Sequence, residues 1–214
     1  MMAAAKASPR ERYRDQVRNE IKEHAWQQIA ASGASGLSLN AIAKQMGMSG
    51  PALYRYFAGR DELITALIRD AYRSLADTVG AAENDGADLA ALAHALRDWA
   101  LADPQRYFLI YGTPVPGYHA PDDVTAIADE IMAALLDAGG TPPDRPATAL
   151  DTHLAEHRQW ASEHPAPPAT LSRALRTWTR LHGVLSLELA GHFTGMGIDP
   201  AVLFAAEVDD LLTA

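Results

Sequence analysis

The sequence predicts an all-α protein in two parts: a small N-terminal helix-turn-helix unit, and a larger helical body joined to it by a linking helix. Three observations lead there. Apolar residues recur at helical spacing along most of the chain, and no stretch reads as a strand. Ala, Leu, Arg, Glu and Asp dominate, with breaks at Gly and Pro. Charge is divided unevenly. Residues 1–60 hold nine Lys and Arg against four Asp and Glu, a net +5, so the rest of the −9 chain carries −14. A basic end on an acidic protein is the electrostatic footprint of a nucleic-acid-binding segment, and the acidic remainder would repel DNA and orient the molecule.

The first helix is expected from about Tyr13 to Ala31, with Val17, Ile21, Ala25 and Ile29 on one face. Residues 1–9 are expected to be disordered. Lys6, Arg10, Arg12 and Arg14 then form either a flexible basic arm for phosphates or a minor groove, or a solvated helix start. Residues 38–57 carry the main signal. Leu39, Ile42, Ala43 and Met46 make one apolar stripe. Ser38 stands at an N-cap position and Gly47 at a left-handed C′ position. Met48 plugs the angle between the two helices, Ser49 caps again, and Pro51 sits in a first turn. The small Ala43 lets the neighbouring helix approach. Two short helices at a tight turn form either an ordinary helical hairpin or the unit that lays its second helix in the DNA major groove. The charge distribution favours the second.

Arg60–Val79 is the next helix, striped by Leu63, Leu67, Ala71 and Leu75, with a break over Gly80–Gly86. Helices follow over Asp88–Ala102, from Asp103-Pro104 through Tyr111, and over Asp122–Ala138 with Ile127, Ile131 and Leu135 inward. Gly112–Pro121 is a loop and Gly139–Pro146 a linker. Ala147–Glu163, Ala169–Ala190 and Pro200–Leu212 are the last helices, with a break at His164–Pro168. The parts are expected to divide as residues 10–60, the helix-turn-helix DNA-binding unit, and 61–214, the larger helical body.

Several classes are excluded. There is no cysteine, hence no disulfide, thiolate metal site or thiol nucleophile. No apolar run approaches the roughly 20 residues that span a bilayer. The basic, polar N-terminus is no secretory signal, so a cytoplasmic location is expected. His153 and His157 lie four apart with Glu156 and His164 near, but no third ligand stands at a fixed spacing, so no metal is expected. No Gly-x-Ser-x-Gly elbow is present, and Gly33-Ala-Ser-Gly follows a helix where a phosphate loop follows a strand. No catalytic residues and no cofactor are expected, and the chain is read as not an enzyme.

Residues 13–65 resemble the N-terminal domain of the TetR family of transcriptional regulators. The residues that carry the resemblance are Ala31-Ser-Gly-Ala-Ser-Gly-Leu, Ser38-Leu-Asn-Ala-Ile-Ala, Gly47-Met-Ser-Gly-Pro-Ala-Leu-Tyr-Arg-Tyr-Phe and Gly59-Arg-Asp-Glu-Leu. The resemblance implies that the helix Ser49–Phe57 enters the major groove. Tyr54, Tyr56 and Arg60 would hold phosphates, with Ser38, Asn40 and Lys44 reaching in from the preceding helix. Arg55 is the candidate for a guanine contact. Gly50, Pro51 and Ala52 depart from a base-reading pattern, so thymine methyls and DNA shape would carry more of the specificity.

Trp178, His182 and Gly183 resemble the Trp-His-Gly type of C-terminal domain found in part of the same family. Such proteins pair as two-fold homodimers through their last two helices. Here Gly183, Ser186, Ala190 and Gly191 would permit close approach, with Val184, Leu187 and Leu203 as anchors; these residues otherwise fill the subunit's own core. Two recognition helices a whole number of DNA turns apart would read a palindromic operator. A small, largely apolar or aromatic effector is expected among Trp99, Tyr107, Phe108, Tyr111, Trp160, Trp178 and His182, unless these aromatics simply pack the interior. The expected function is a ligand-released repressor on double-stranded DNA, without membrane contact. The alternatives are a helical small-molecule-binding protein or enzyme with an incidental basic end, and a DNA-binding regulator without a small-molecule ligand.

Overall fold

Ser8 Oγ accepts from the Glu11 N–H at 3.2 Å, and Glu11 Oε2 accepts from the Ser8 N–H at 2.7 Å. This reciprocal capping box, with Pro9 in the first turn, starts helix α1 at Pro9 and carries it to Ser32. Arg10, Arg12 and Arg14 are therefore helical residues, four positions earlier than the apolar stripe alone suggests. The computed structural model describes residues 8–112, 114–115, 118–140, 145–161 and 164–213. The expected disorder of residues 1–9, Lys6 included, lies outside this set except for Ser8 and Pro9.

Among the described residues only helices and 3-10 turns occur, with no strand. Val17, Ile21, Ala25 and Ile29 are the buried residues of α1. A 3-10 turn over Ala34–Gly36 leads to α2 (Leu39–Gln45) and α3 (Gly50–Leu53). Helix α4 runs from Arg60 to Asn84, and Leu63, Leu67, Ala71 and Leu75 are wholly buried along it. It continues five residues past Val79. Gly80 sits inside the helix, where glycine costs only roughly 1 kcal/mol. The chain turns at Gly86, whose φ of 79° is the left-handed conformation that glycine adopts without strain.

Then follow α5 (Leu89–Ala102, capped by Asp88 on the Ala91 N–H), α6 (Pro104–Tyr111) and α7 (Asp122–Gly139). Val124, which the spacing did not single out, is buried in α7 beside Ile131 and Leu135, while Ile127 is only half-buried. Helix α8 spans only Ala149–Glu156, followed by a 3-10 turn over Gln159–Ala161. The longer helix expected to Glu163 is cut at His157, and residues 162–163 lie outside the described residues, as do 141–144 of the expected linker. Helices α9 (Pro168–Leu189) and α10 (Pro200–Thr213) complete the chain.

The start of α8 is pinned electrostatically. Asp151 is buried and accepts from Arg145 Nη1 at 2.6 Å, Arg145 Nη2 at 3.0 Å and the Thr148 N–H at 2.6 Å. The Arg145 guanidinium, then the Thr148 amide, hold its carboxyl well below the usual carboxylate range.

Two compact units emerge. One comprises residues up to Asp70 together with Phe108–His119, the other Ala71–Tyr107 together with Ala120 onward. The second is cored by Leu89, Leu135, Leu136, Leu154, Leu171 and Ala174, drawn from α5, α7, α8 and α9. Each such leucine contributes roughly 1.5–3 kcal/mol when removed from water. No helix among the described residues is long and apolar enough to cross a membrane.

Candidate nucleic-acid interface and effector region

Ser38 Oγ accepts from the Ala41 N–H at 3.3 Å, while the Ser38 N–H donates to Gln28 Oε1 of α1 at 2.9 Å. The start of α2 is thus tied to α1. At the far end Gly47 takes φ 66°, and the Met48 N–H reaches back to the Ala43 carbonyl at 2.8 Å. The chain re-enters a helix at Gly50. The Ser49 side chain makes no capping bond, contrary to its expected second cap.

The second helix is also shorter than Ser49–Phe57. It is regular only over Gly50–Leu53, then tightens through Tyr54–Tyr56, where the Arg55 N–H bonds the Ala52 carbonyl and the Tyr56 N–H the Leu53 carbonyl at 2.8 Å. Leu39, Ile42, Ala43, Leu53 and Phe57 are buried and hold the turn together. Ser38, Asn40, Lys44, Ser49, Pro51, Tyr54 and Arg55 are exposed, and Gly50, Ala52, Tyr56 and Arg60 half-buried. Asn40 Oδ1 would lie 3.6 Å from a Cβ built on Gly50, so α2 delivers this amide to the start of α3. Lys44 and Arg55 make no ion pair among the described residues.

Two arginines have structural partners that sequence reasoning missed. Arg60 Nη2 donates to the Ala34 carbonyl at 2.7 Å, so this guanidinium braces the α1–α2 connection. Arg18 Nη1 donates to the Tyr56 carbonyl, and its guanidinium lies 4.1 Å from the centre of the buried Phe57 ring. It also approaches Glu62 Oε1 at 3.8 Å, and Glu62 Oε2 accepts the Ala58 N–H at 2.6 Å. Of these contacts the carbonyl bond, roughly 1.5–3 kcal/mol for a charged donor, outweighs the solvated ion pair at roughly 0–1 kcal/mol. Lys22 on α1 pairs with Asp70 on α4 at 2.7 Å.

The aromatic candidates of the second domain fall into separate environments. Trp99 Nε1 donates to Ser74 Oγ at 3.2 Å. Tyr107, wholly buried, has its hydroxyl 2.9 Å from His182 Nδ1 and 2.7 Å from Ser186 Oγ. The His182 ring stacks on Tyr107 at 5.5 Å and meets Trp178 at 4.0 Å. Burial brings His182 down to about 4 and pushes the Tyr107 hydroxyl up. The consistent assignment has Ser186 donating to Tyr107 and Tyr107 donating to a neutral His182.

Trp178 further walls an apolar cavity with Val79, Leu92, Ala93, Leu96, Ile131, Leu135 and Leu181. Its water-accessible space is about 20 Å³, room for about one water. Trp160 lines a different cleft of about 380 Å³, with Leu136, Ala133 and Ala161 on its apolar side and Asp129, Glu130 and His164 on its polar side. His164 accepts the Ala166 N–H on Nδ1 and faces Asp137 with Nε2 at 3.1 Å. Phe108 and Tyr111 belong to the segment grouped with the first unit. The His153 and His157 rings stack 4.1 Å apart, and no group of three metal-ligating side chains occurs among the described residues.

A buried-cored turn with a polar, partly basic outer face defines a helix-turn-helix DNA-binding protein. The profile of the bacterial regulatory proteins, tetR family, matches residues 21–67, and that of the tetracyclin repressor-like C-terminal domain matches residues 89–211. An HTH-type transcriptional regulator of Mycobacterium tuberculosis is 36% identical over 224 residues, covering 97% of this chain and 95% of that one. The crystal structure of SCO4313 is 70% identical with a TM-score of 0.90, covering 97% of this chain and 100% of that one. The TetR family regulator PfmR of Thermus thermophilus shares the fold at 16% identity, with a TM-score of 0.58 and coverage of 91% and 97%. The chain belongs to the TetR family of transcriptional regulators.

Proposed function

We propose that the protein is a repressor that binds a palindromic operator as a homodimer and is released when a small, largely apolar or aromatic molecule binds its second domain. The observation that carries the release step is the apolar cavity bounded by Trp178 and Val79. Val79 lies near the end of α4, and Arg60 begins that same helix. A ligand larger than the cavity must push against α4, and a shift of α4 would alter the spacing of the two recognition helices. The ligand shifts the equilibrium only by its preference for the released geometry. The functional division is placed at Arg60, with residues 10–60 on DNA and 61–214 regulatory.

Pairing through α9 and α10 is supported by apolar side chains left exposed there: Leu187 at 45%, Val202 at 67% and Leu212 at 44%. On the DNA side, Arg55 is assigned to a base edge, Asn40 to a base or a phosphate, and Ser38, Lys44, Ser49, Tyr54 and Tyr56 to phosphates, with Gly50, Pro51 and Ala52 against methyl groups. Arg60 is assigned to a phosphate as well, because its bond to the Ala34 carbonyl uses Nη2 and leaves other N–H donors of the guanidinium.

Arg55→Ala is expected to cost about 1–3 kcal/mol of discrimination at one base pair, and Lys44→Ala to weaken all duplexes alike and lower the salt slope by about one unit. Binding titrations on cognate and scrambled duplexes read both effects; unchanged binding in both variants removes these contacts. The small cavity favours a second reading, a regulator without a small-molecule ligand. A metabolite screen by thermal shift separates the two. A stabilising compound that also displaces the protein from DNA supports release, and a screen without one supports the second reading.

A further inference from the structure

Gly50, Pro51 and Ala52 offer bases almost no hydrogen-bonding side chains, so Tyr54, Arg55 and Tyr56 must do most of the polar work of the second helix. These three residues lie beyond the regular part of α3, in a tightened turn. A helix end leaves carbonyls without intrahelical donors. Here the donor to Tyr56 comes from Arg18, 38 residues earlier on α1. We infer that Arg18 is a positioning residue of DNA recognition, setting the angle at which the Tyr54–Tyr56 tip meets the groove.

Three contacts converge on this function. The guanidinium grips the Tyr56 carbonyl, lies over the Phe57 ring that anchors the next residue, and approaches Glu62. Glu62 in turn holds the Ala58 amide at 2.6 Å. The backbone from Tyr56 to Ala58 is thereby fixed from both sides by α1 and the first turn of α4. The Arg18 side chain is 29% exposed, so most of it is engaged inside the domain. A planar fork that donates and stacks at once is a task lysine cannot reproduce. Recognition by shape and by a few tip side chains is sensitive to small displacements, because a site left loosely supported loses its geometry.

The inference rests on the reading that the tip touches DNA, and the experiment separates the two. The full-length chain and its Arg18→Met, Arg18→Lys, Tyr54→Ala and Arg55→Ala variants are titrated against two duplexes. One is recovered by selection from fragments of the source genome, and the other is its scrambled sequence. Salt runs from about 50 to 200 mM, and circular dichroism monitors folding. Arg18→Met is expected to weaken the selected duplex by about tenfold or more while the scrambled duplex changes by less than about threefold. The salt slope and the helical signal stay as in the parent, because Arg18 neutralises no phosphate. Arg18→Lys stays within about threefold of Arg18→Met.

A slope lowered by about one unit with equal weakening of both duplexes would make Arg18 a phosphate ligand and overturn the inference. Unchanged affinity for the selected duplex would overturn it too, as would loss of binding in step with loss of helix. If Tyr54→Ala and Arg55→Ala leave the selected duplex bound as before, the tip reading itself fails.

Discussion

Arg97→Met is expected to cost about 1–3 kcal/mol of folding stability, the loss typical when a hydrogen-bonded, half-buried charged group is left without its partner. Arg97 on α5 meets Glu188 on α9 through two bonds, Nε to Oε2 at 3.1 Å and Nη2 to Oε1 at 2.5 Å. The side chains are only 14% and 11% exposed, so water reaches the pair only at its edge and replaces a lost partner incompletely. The guanidinium also lies 5.6 Å from the Phe204 ring centre of α10, which links three helices through one side chain. The cost comes from the carboxylate left behind, so a paired replacement by apolar residues should behave differently. Arg97→Met with Glu188→Leu is expected to regain most of the loss, because the pair's attraction only roughly balances its desolvation. Urea unfolding of the two single variants and the double measures the coupling. Additive losses would mean that the two charges are independently solvated.

His182 makes stability depend on pH in a definite window. Its folded pKa is brought down to about 4 by burial, while an unfolded histidine titrates near 6.5. As pH falls, the unfolded chain binds the proton first and the folded state loses ground. The contribution is complete above about pH 6.5, declines from there to about pH 4 and is level below, by roughly 3 kcal/mol in all. Protonation would also put a hydrogen on Nδ1, where Tyr107 donates at 2.9 Å. His182→Gln keeps an acceptor without a titration. Its stability is expected to fall less than that of the parent between pH 7 and 4.5, by about 2.5 kcal/mol, most of that increment. Equal pH profiles for the two chains would show that His182 is not held neutral.

Much of the fold was legible because local rules decided it. The stripe Val17, Ile21, Ala25 and Ile29 is the buried face of α1, and the pattern of Leu63, Leu67, Ala71 and Leu75 that of α4. Gly47 takes the left-handed turn expected of it, at φ 66°. The errors also have local causes. Glycine punctuates weakly inside a strong helix, so Gly80 failed to end α4 and Gly86 did. The Ser8–Glu11 capping box extended α1 beyond its apolar stripe.

What the sequence could not show are partners made by tertiary approach. Arg60 reads as a phosphate candidate, and its bond to the Ala34 carbonyl, 26 residues away, is a second task that only the fold reveals. Arg18 carries no motif at all, and neither does the Arg97–Glu188 pair, 91 residues apart. Aromatic content was equally silent on grouping. Trp178, His182 and Tyr107 come together, whereas Trp99 bonds Ser74 and Trp160 lines a separate cleft of mixed lining.

The most direct test of the account is selection of fragments from the source genome by the purified chain, followed by sequencing and footprinting. A dimeric regulator on a palindromic operator recovers fragments that share an inverted repeat, with half-sites a whole number of helical turns apart and protected as a pair. Recovery of unrelated fragments, or of single unpaired half-sites bound by one chain, would contradict it.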